Sequence, residues 1–367
     1  MKNSIISIFA VLMFVFITVP APVFASGEPQ KEQGIVLEVL ETLNTTDSTE
    51  NQILQTLSVL IVSGEYKNQT KTIKISADAS GAVAQKYQVG DRVVLLIVKD
   101  DVSGPIFYVS DFSRSRALFW LFAIFAICSV AVGRLHGFTS LLGLAFSFLV
   151  IYFFIVPRIL AGWDPLLTAI IGSVVILAVS LYLSHGFSRK TTVALSGIAV
   201  SLVITGFLAK LFVSAAHLTG FATDETSLLA AESAGLINMQ GLLLAGILIA
   251  ALGVLDDMTV SQSSIVQELA HANKTLSSRE LYKRAMNVGR DHIASLTNTL
   301  VLVYAGASLP LLLLLRTSGG GFANGLNYEI VSAEIVKMLV GSVGLVLSIP
   351  ITTAIAAIAH KKFETKN

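Results

Sequence analysis

The sequence predicts a polytopic α-helical membrane protein with about seven transmembrane helices and a small N-terminal extracytoplasmic β domain. Hydrophobic residues make up 54% of the chain and charged residues only 13%, and the mean hydropathy is +0.75. A soluble core could not bury so much apolar surface, and the excess lies in runs of about twenty residues, the length that crosses a bilayer. A block of short β-like segments, ending near residue 116, indicates the separate β domain.

The N-terminal end, residues 1–25, has the pattern of a secretory signal peptide. Lys2 gives a short basic start, residues 5–19 are apolar, and the sequence Val-Phe-Ala precedes Ser26. If this segment were not cleaved, it would remain as an extra membrane helix with its N-terminus in the cytosol. In either case the residues that follow are expected to lie outside.

Residues 26–116 are predicted to form an extracytoplasmic, small β-barrel-like domain of roughly five strands, related to the OB fold. Segments rich in Val, Ile, Leu and Thr alternate with Gly, Asn, Asp and Ser. The expected strands are residues 35–43, 53–62, 71–76, 91–98 and 106–109. Residues 64–68 are expected to connect a hairpin, and Gly90-Asp91 to form a turn. Because the domain is mildly acidic and has no aromatic stacking platform, we expect a structural or docking role rather than nucleic-acid binding.

Residues 117–367 form the predicted transmembrane helical domain. Its expected membrane segments are residues 117–132, 138–156, 165–183, 192–213, 242–255, 293–315 and 335–360. With the β domain outside, these segments alternate and the C-terminus is cytoplasmic. Lys and Arg are concentrated in the loops placed inside, such as Arg189-Lys190 and residues 274–290, while Asp224 and Glu225 lie outside. Arg114 and Arg116 run against this bias, but the remaining loops outweigh them.

No feature of the sequence predicts an enzyme, a cofactor or a metal site. The chain contains neither an HExxH helix nor a GxSxG elbow, and its six histidines are scattered. The only cysteine, Cys128, lies within an apolar run, where it is expected to be a packing residue. A metal site formed by His271 and His292 is an alternative, although a polar helix face near the interface explains both residues more simply.

The most informative stretch, residues 253–310, carries two polar stripes at helical spacing. The first stripe contains Asp257, Ser261, Ser264, Glu268 and His271. The second stripe contains Asn287, Asp291, Ser295 and Asn298. We expect the two stripes to face each other. The simpler interpretation of the first stripe is the wet face of a cytosolic helix.

Five residues in this stretch are candidates for substrate or ion coupling. Asp256 and Asp257 end a membrane segment, where they either mark the water interface or serve a function, because ionisable groups at membrane depth are costly. Arg290 and Asp291 precede the next segment, and Asn298 lies about one to two turns inside it. The amide of Asn298 therefore either bonds a neighbouring helix or lines a hydrated cavity.

Several short motifs give the chain a family resemblance. Gly-Val-Leu-Asp-Asp at 253–257, Ser-Gln-Ser-Ser at 261–264, Met-Asn-Val-Gly-Arg-Asp at 286–291, Thr-Asn-Thr-Leu at 297–300 and Ser-Gly-Glu-Tyr at 63–66 are similar to the YibE/F-like bacterial membrane proteins. The resemblance implies a multi-spanning, permease-like protein of the bacterial plasma membrane. The paired family name suggests a related partner subunit, and no catalytic residue can be carried over.

Two function classes follow from these patterns. The polar residues at the cytosolic ends of the fifth and sixth helices favour a permease or secondary transporter of unknown substrate. Because the sequence has no Walker-type loop, ATP drive would need another subunit. The alternative is a non-transporting membrane assembly or sensing protein that acts through its β domain and residues 256–293. Expected partners are membrane lipid and a second copy of the chain or a related membrane subunit, with no nucleic acid.

Overall fold

The computed structural model describes residues 30–47, 50–75, 86–100, 104–317 and 324–364. The predicted signal peptide, residues 1–25, lies outside these ranges. The described chain divides into two compact units, of which the first ends at Cys128 and the second begins at Ser129. Each unit is described by itself below.

The first unit contains an antiparallel five-stranded sheet with the strand order β3-β2-β1-β4-β5. Its strands are β1 (Gln30–Asp47), β2 (Glu50–Ile61), β3 (Thr70–Ile75), β4 (Arg92–Asp100) and β5 (Gly104–Phe112). The five predicted strands are confirmed, and each is extended at one or both ends. Alternate residues of β2 and β4, including Leu57, Val59 and Leu95, are buried, as the period of a strand requires. At the two edges, Lys71 Nζ lies 5.4 Å from the centre of the Phe107 ring, so the sheet curls into a half-barrel.

The predicted hairpin connection between β2 and β3 is confirmed, and a buried carboxylate holds it. Glu32 is 3% exposed, and its Oε1 accepts a hydrogen bond from the backbone N–H of Glu65 at 2.6 Å. Gly64 has φ 77°, and a Cβ at this position would overlap the Glu32 carboxylate. Ser63 Oγ accepts from the backbone N–H of Gln33 at 2.7 Å. The Ser-Gly-Glu-Tyr motif is therefore a turn that needs glycine for both its conformation and its space.

Helices, most of them apolar, make up most of the rest of the described chain. They are α1 (Ser115–Val150), continued by a π-helical turn (Ile151–Ile155), α2 (Val156–Leu160), α3 (Pro165–His185), α4 (Arg189–Ala215), α5 (Asp224–Glu232), α6 (Met239–Ala272), α7 (Ser278–Ala307), α8 (Leu309–Thr317) and α9 (Glu329–Glu364). Five of the helical stretches are long and apolar enough to cross a membrane, or six if α7 and α8, which are bent by 63°, form one span. This result supports a polytopic membrane protein.

Two of the seven predicted segments, residues 117–132 and 138–156, fall within one of these stretches, Ser115–Leu160. The backbone of α1 leaves the helical conformation at Arg134, with φ 51° and ψ −128°. A Cβ at Gly137 would overlap the backbone carbonyl of Ser129, which lies more than one turn away in a straight helix. The chain therefore bends sharply at Arg134, in the gap between the two predicted segments.

Polar residues outside the apolar stretches begin several helices. Asp164 caps α3 by accepting from the backbone N–H of Leu167 at 2.8 Å, and Asn238 caps α6 by accepting from Gly241 at 3.0 Å. Ser277 and Glu280 form a capping box at the start of α7. Such caps satisfy backbone donors that the first turn of a helix leaves free. These caps fix the residues at which α3, α6 and α7 begin.

Helices α4 and α9 cross closely at the centre of the second unit, through small residues spaced four apart. The ladder on α4 is Gly197, Ser201 and Thr205, and the ladder on α9 is Gly344, Ser348 and Thr352. A Cβ at Gly197 would overlap Thr352, and a Cβ at Gly344 would overlap Thr205. The two helices are therefore antiparallel and in direct contact, as small residues permit in membrane helix pairs. Helix α6 packs against both of them.

Candidate functional site

The two aspartates of the Gly-Val-Leu-Asp-Asp motif line a cavity of about 310 Å³. Its walls come from the part of α1 after the bend at Arg134, from the last turns of α3 and from the middle of α6. The lining residues are His136, Ser140, Ser180, Leu181, Ser184, His185, Asp256 and Asp257. We call this space the carboxylate cavity. All but one of its lining side chains are polar, in a bundle whose other contacts are mostly apolar.

The buried face of α6 determines how the two aspartates are presented. Leu252, Leu255 and Thr259 are buried and recur at a spacing of three and four residues, which is the inward stripe of a helix. Asp256 follows Leu255 by one residue, so it turns away from the core by about 100° and is half-buried. Asp257 turns away further and is exposed. One carboxylate thus lies inside the cavity wall and the next lies at its mouth.

The lining residues lie near the end of helix α3, so the cavity is near one end of the apolar bundle. Helix α3 has 21 residues and is about 31 Å long, which matches the hydrocarbon core of a bilayer. Ser180, Ser184 and His185 belong to its last two turns. Helix α1 approaches α3 here, where a Cβ at Gly143 would lie 3.0 Å from Ser180 Oγ. The cavity therefore lies where the apolar part of the bundle ends.

The carboxylate of Asp256 is not neutralised by a direct contact. Its Oδ1 is buried and has no hydrogen-bond partner among the described residues. His136, His185 and Asp257 line the same cavity as Asp256. A buried carboxylate oxygen without a partner is costly, and such groups in membrane proteins are usually functional. The cavity thus brings two carboxylates together with two imidazoles.

Carboxylates and imidazoles in one small cavity can bind a proton or a cation. The three serines add hydroxyl oxygens that accept from, or coordinate, a cationic group. Within the described ranges, no group of three or more His, Cys, Asp or Glu side chains is placed to hold a metal ion. The donor set of the cavity consists of carboxylate, imidazole and hydroxyl groups.

The other three candidate residues, Arg290, Asp291 and Asn298, lie on the exposed side of α7. They line neither the carboxylate cavity nor the larger cavity described below. Their neighbour Gly289 faces inward, and a Cβ there would lie 2.7 Å from Cγ2 of Ile349 on α9. Because α7 packs through Gly289 against α9, the polar side of the helix is turned outward.

The structure does not bring the two predicted stripes together. Asp257 lines a cavity on the side of α1 and α3, whereas Asp291 is on the exposed side of α7. Helices α6 and α7 are instead joined by an apolar cluster that includes Val266 and Leu281 and by Gln262, whose Nε2 donates to the backbone carbonyl of Ala285 at 3.0 Å. His271 also lies apart from His292, and its ring centre is 6.3 Å from that of His360.

The α1 and α3 residues of the cavity are not among the candidates that the sequence patterns predict. A signal was present, because His136 and Ser140 are four residues apart, as are Ser180 and Ser184. Such pairs lie on one face of a helix, and polar pairs near the ends of two apolar segments mark a wet face. Only the packing of α1 and α3 against α6 links these faces to Asp256.

The fold and the cavity together define a class, a polytopic helical membrane protein with ionisable groups inside its bundle and a β half-barrel. The chain belongs to the YibE/F-like protein family, because that family model matches residues 121–362. A second model, for the YibE/F family N-terminal domain, matches residues 29–109. No curated protein and no solved structure matches the chain. The family resemblance noted in the sequence is confirmed across most of its length.

Proposed function

We propose that this protein is a secondary transporter, or permease, whose substrate or coupling ion binds in the carboxylate cavity. The observation that carries this proposal is the buried, unpartnered Oδ1 of Asp256 in the wall of a polar cavity. A membrane protein retains such a costly group where an ion or a proton uses it. Since no cationic side chain in the described part of the chain forms an ion pair with Asp256, the compensating charge would come from the transported species.

The arrangement of the two aspartates supports a pathway into the cavity. Asp257 is exposed and attracts cations to the mouth, while Asp256 is half-buried and binds them inside. His136 and His185 line the same cavity, and their ring nitrogens can accept or donate a proton. This arrangement suits proton-coupled movement of a cation or of a solute with a cationic group.

The transporter is further proposed to lie in the bacterial plasma membrane with seven spans. Seven spans result if the chain crosses the membrane on both sides of Arg134 and if α7 and α8 form one bent span. The β half-barrel would then lie outside and the C-terminus in the cytoplasm, in accordance with the Lys and Arg bias. Labelling of single cysteines, in a Cys128→Ser background, tests this topology. Thr226→Cys should react with an impermeant maleimide from outside, and Thr275→Cys only after the membrane is permeabilised.

Proton-coupled flux provides the direct test of the transporter. Everted vesicles with a respiration-driven pH gradient would be loaded with a fluorescent ΔpH dye, and a panel of Na⁺, K⁺, Mg²⁺, Ca²⁺ and organic cations would be added. We expect at least one cation to collapse the gradient in wild-type vesicles. Asp256→Asn should abolish this response, whereas Asp224→Asn, which removes a carboxylate outside the cavity, should leave it intact. A full response from Asp256→Asn, or no response to any cation, would contradict the proposal.

A second candidate function, membrane assembly, is favoured by one observation. Arg290, Asp291, Ser295 and Asn298 are all exposed along α7, a helix that belongs to a membrane-capable pair. Polar groups facing lipid are unfavourable, and a polar helix of another subunit would satisfy them. The partner would be a second copy of this chain or a related membrane subunit.

Cross-linking distinguishes the assembly function from transport. A single cysteine in place of Ser295 should form a disulfide-linked dimer in native membranes if a second copy covers α7. The control is a cysteine in place of Ser227, which lies on α5. Cross-linked dimers together with cation flux would show that assembly and transport coexist. A stoichiometric partner without flux in any condition would favour the assembly function alone.

A further inference from the structure

A second cavity, of about 700 Å³, lies among α4, α6 and α9. Its walls come from the first turn of α4, the second half of α6 and the end of α9. The residues on which the following argument depends are Phe187, Lys190, Val266, His271, Lys274 and His360. We call this space the basic cavity. It is separate from the carboxylate cavity, because no residue lines both.

The ionisable residues that line the basic cavity are all basic. Lys190 comes from α4, Lys274 follows α6, and the two imidazoles of His271 and His360 approach each other across α6 and α9 at 6.3 Å between ring centres. None of the residues that line this cavity in the described chain is an aspartate or a glutamate. Lysine ammonium groups from two separate segments converge on one space, and their mutual repulsion disfavours this arrangement unless an anion occupies it.

The backbone at the start of α4 also favours an anion. Helix α4 begins at Arg189 after its N-cap residue, Ser188, so the positive end of a helix of 27 residues faces the cavity. Ser263 Oγ on α6 donates to the backbone carbonyl of Lys190 at 3.0 Å, which fixes the start of α4 against α6. The Lys190 side chain therefore projects from an anchored backbone. A helix start and converging lysines are features that bind phosphate.

Part of the remaining wall of the basic cavity is apolar. Val193, Val266, Ala270, Ala356 and Ala359 line it. Phe187 also lines it, and its ring is stacked on Tyr182 with 4.4 Å between the centres. A small inorganic anion would leave this surface uncovered. A ligand that carries an apolar part beside its charge would fill both halves of the cavity.

We infer that the basic cavity binds the phosphate group of an amphiphilic anion, with Lys190, Lys274, His271 and His360 around the phosphate and Val266 and Phe187 against its apolar part. Two sources share this chemistry. One is the headgroup of an anionic phospholipid, for which basic cavities between membrane helices are known binding sites. The other is a soluble organic phosphate, whose base or ring would cover the apolar wall. This site is independent of the proposed transport function.

Thermal stability of the full-length protein in a neutral detergent tests the inference. Dioleoylphosphatidylglycerol is titrated in one arm, with dioleoylphosphatidylcholine as the zwitterionic control, and ATP in a second arm, with adenosine as its uncharged control. We expect concentration-dependent stabilisation in the phosphatidylglycerol arm, the ATP arm, or both, and none by the controls. Stabilisation by only one ligand identifies the source. Absence of stabilisation in both arms would overturn the inference.

Charge-matched variants separate the cavity from general surface attraction. The double variant Lys190→Gln and Lys274→Gln should raise the half-saturating ligand concentration by about tenfold or more. The control, Lys283→Gln with Arg284→Gln, removes two exposed charges of α7 that do not line the cavity and should change it less than twofold. If the double variant does not fold, Lys274→Gln alone, on an exposed residue after α6, gives the same comparison at a smaller effect. Equal losses in both pairs would contradict a specific site.

Discussion

The crossing of α4 and α9 and the carboxylate cavity are built from similar small and polar residues but have opposite properties. At the crossing, glycines on each helix leave space only for the threonine of the other. In the carboxylate cavity, serines on α1 and α3 surround about 310 Å³ of open space. The crossing is a packed contact, whereas the cavity is kept open in the same bundle.

The difference lies in what the polar groups bond to. In the crossing, Ser201 Oγ donates to the backbone carbonyl of Gly197 at 2.8 Å, and Thr205 Oγ1 donates to that of Ser201 at 2.8 Å. These hydroxyls are satisfied within their own helix and need no water, although Thr352 Oγ1 is left without a partner. In the cavity, an aspartate cannot be satisfied in this way, because its oxygens accept and do not donate. Polarity alone therefore does not mark a site, whereas an unsatisfied acceptor beside open space does.

The largest effect on stability is expected from Gly344→Ala at the crossing. The new methyl group would overlap Thr205 Oγ1, and Thr205 cannot turn away easily because it is β-branched and bonded to Ser201. Overpacking at such a contact costs about 3 kcal/mol, and the apparent melting temperature in detergent should fall. The measurement is size-exclusion chromatography after stepwise heating.

Two further variants sharpen this test. Gly341→Ala, on the same helix, has open space at the position of the new methyl group, so its stability should be unchanged or slightly higher. Thr205→Ala combined with Gly344→Ala removes the overlapping atoms and should recover part of the loss, which a double-mutant cycle measures. Equal melting temperatures for Gly344→Ala and Gly341→Ala would show that the crossing accommodates an added methyl group.

A smaller loss is expected from Gly289→Ala, in the Met-Asn-Val-Gly-Arg-Asp motif. A Cβ here would lie 2.7 Å from Ile349 Cγ2 and 3.2 Å from Gln262 Nε2. Both are side-chain atoms, and small shifts of each relieve the contact, so the cost should be about 1 to 2 kcal/mol. Gly306→Ala, on the same helix with nothing within 4 Å, is the matched control. A loss of similar size in the control would attribute the effect to helix α7 itself rather than to its packing.

These packing contacts explain which features of the fold and site could be predicted from the sequence. The strands, their turns and the apolar segments follow from local patterns, because alternation and apolar length depend on neighbours along the chain. The rotation of α7 depends on Gly289 meeting Ile349, two residues far apart in sequence. A helical period identifies a polar face but not the element opposite to it. For this reason the motif pattern picks out Asp256 and Asp257 as candidates, whereas His136 and His185, which line the same cavity, could not be predicted from the sequence.

In the cavity, the sign of the stability effect should reverse. Asp256→Asn removes a charge whose Oδ1 has no partner, and it introduces no extra volume. The melting temperature should stay the same or rise. The free energy of unfolding should increase by up to about 1 kcal/mol, because the cost of a buried unpaired charge is relieved. The same variant should lose cation-dependent flux in the vesicle assay. A strong destabilisation would indicate that Asp256 holds the bundle together, and it would remove the contrast with the crossing.

The smallest effect on stability is expected from Asp257→Asn, and it separates the roles of the two neighbouring aspartates. Asp257 is exposed at the mouth of the cavity, so the substitution should change stability by no more than about 0.5 kcal/mol. If Asp257 only attracts cations electrostatically, its loss should raise the half-saturating cation concentration with little change in maximal flux. High salt, which screens exposed charges, should then abolish the difference between the variant and the wild type. A loss of maximal flux as complete as that of Asp256→Asn, in folded protein, would instead assign both carboxylates to one binding site.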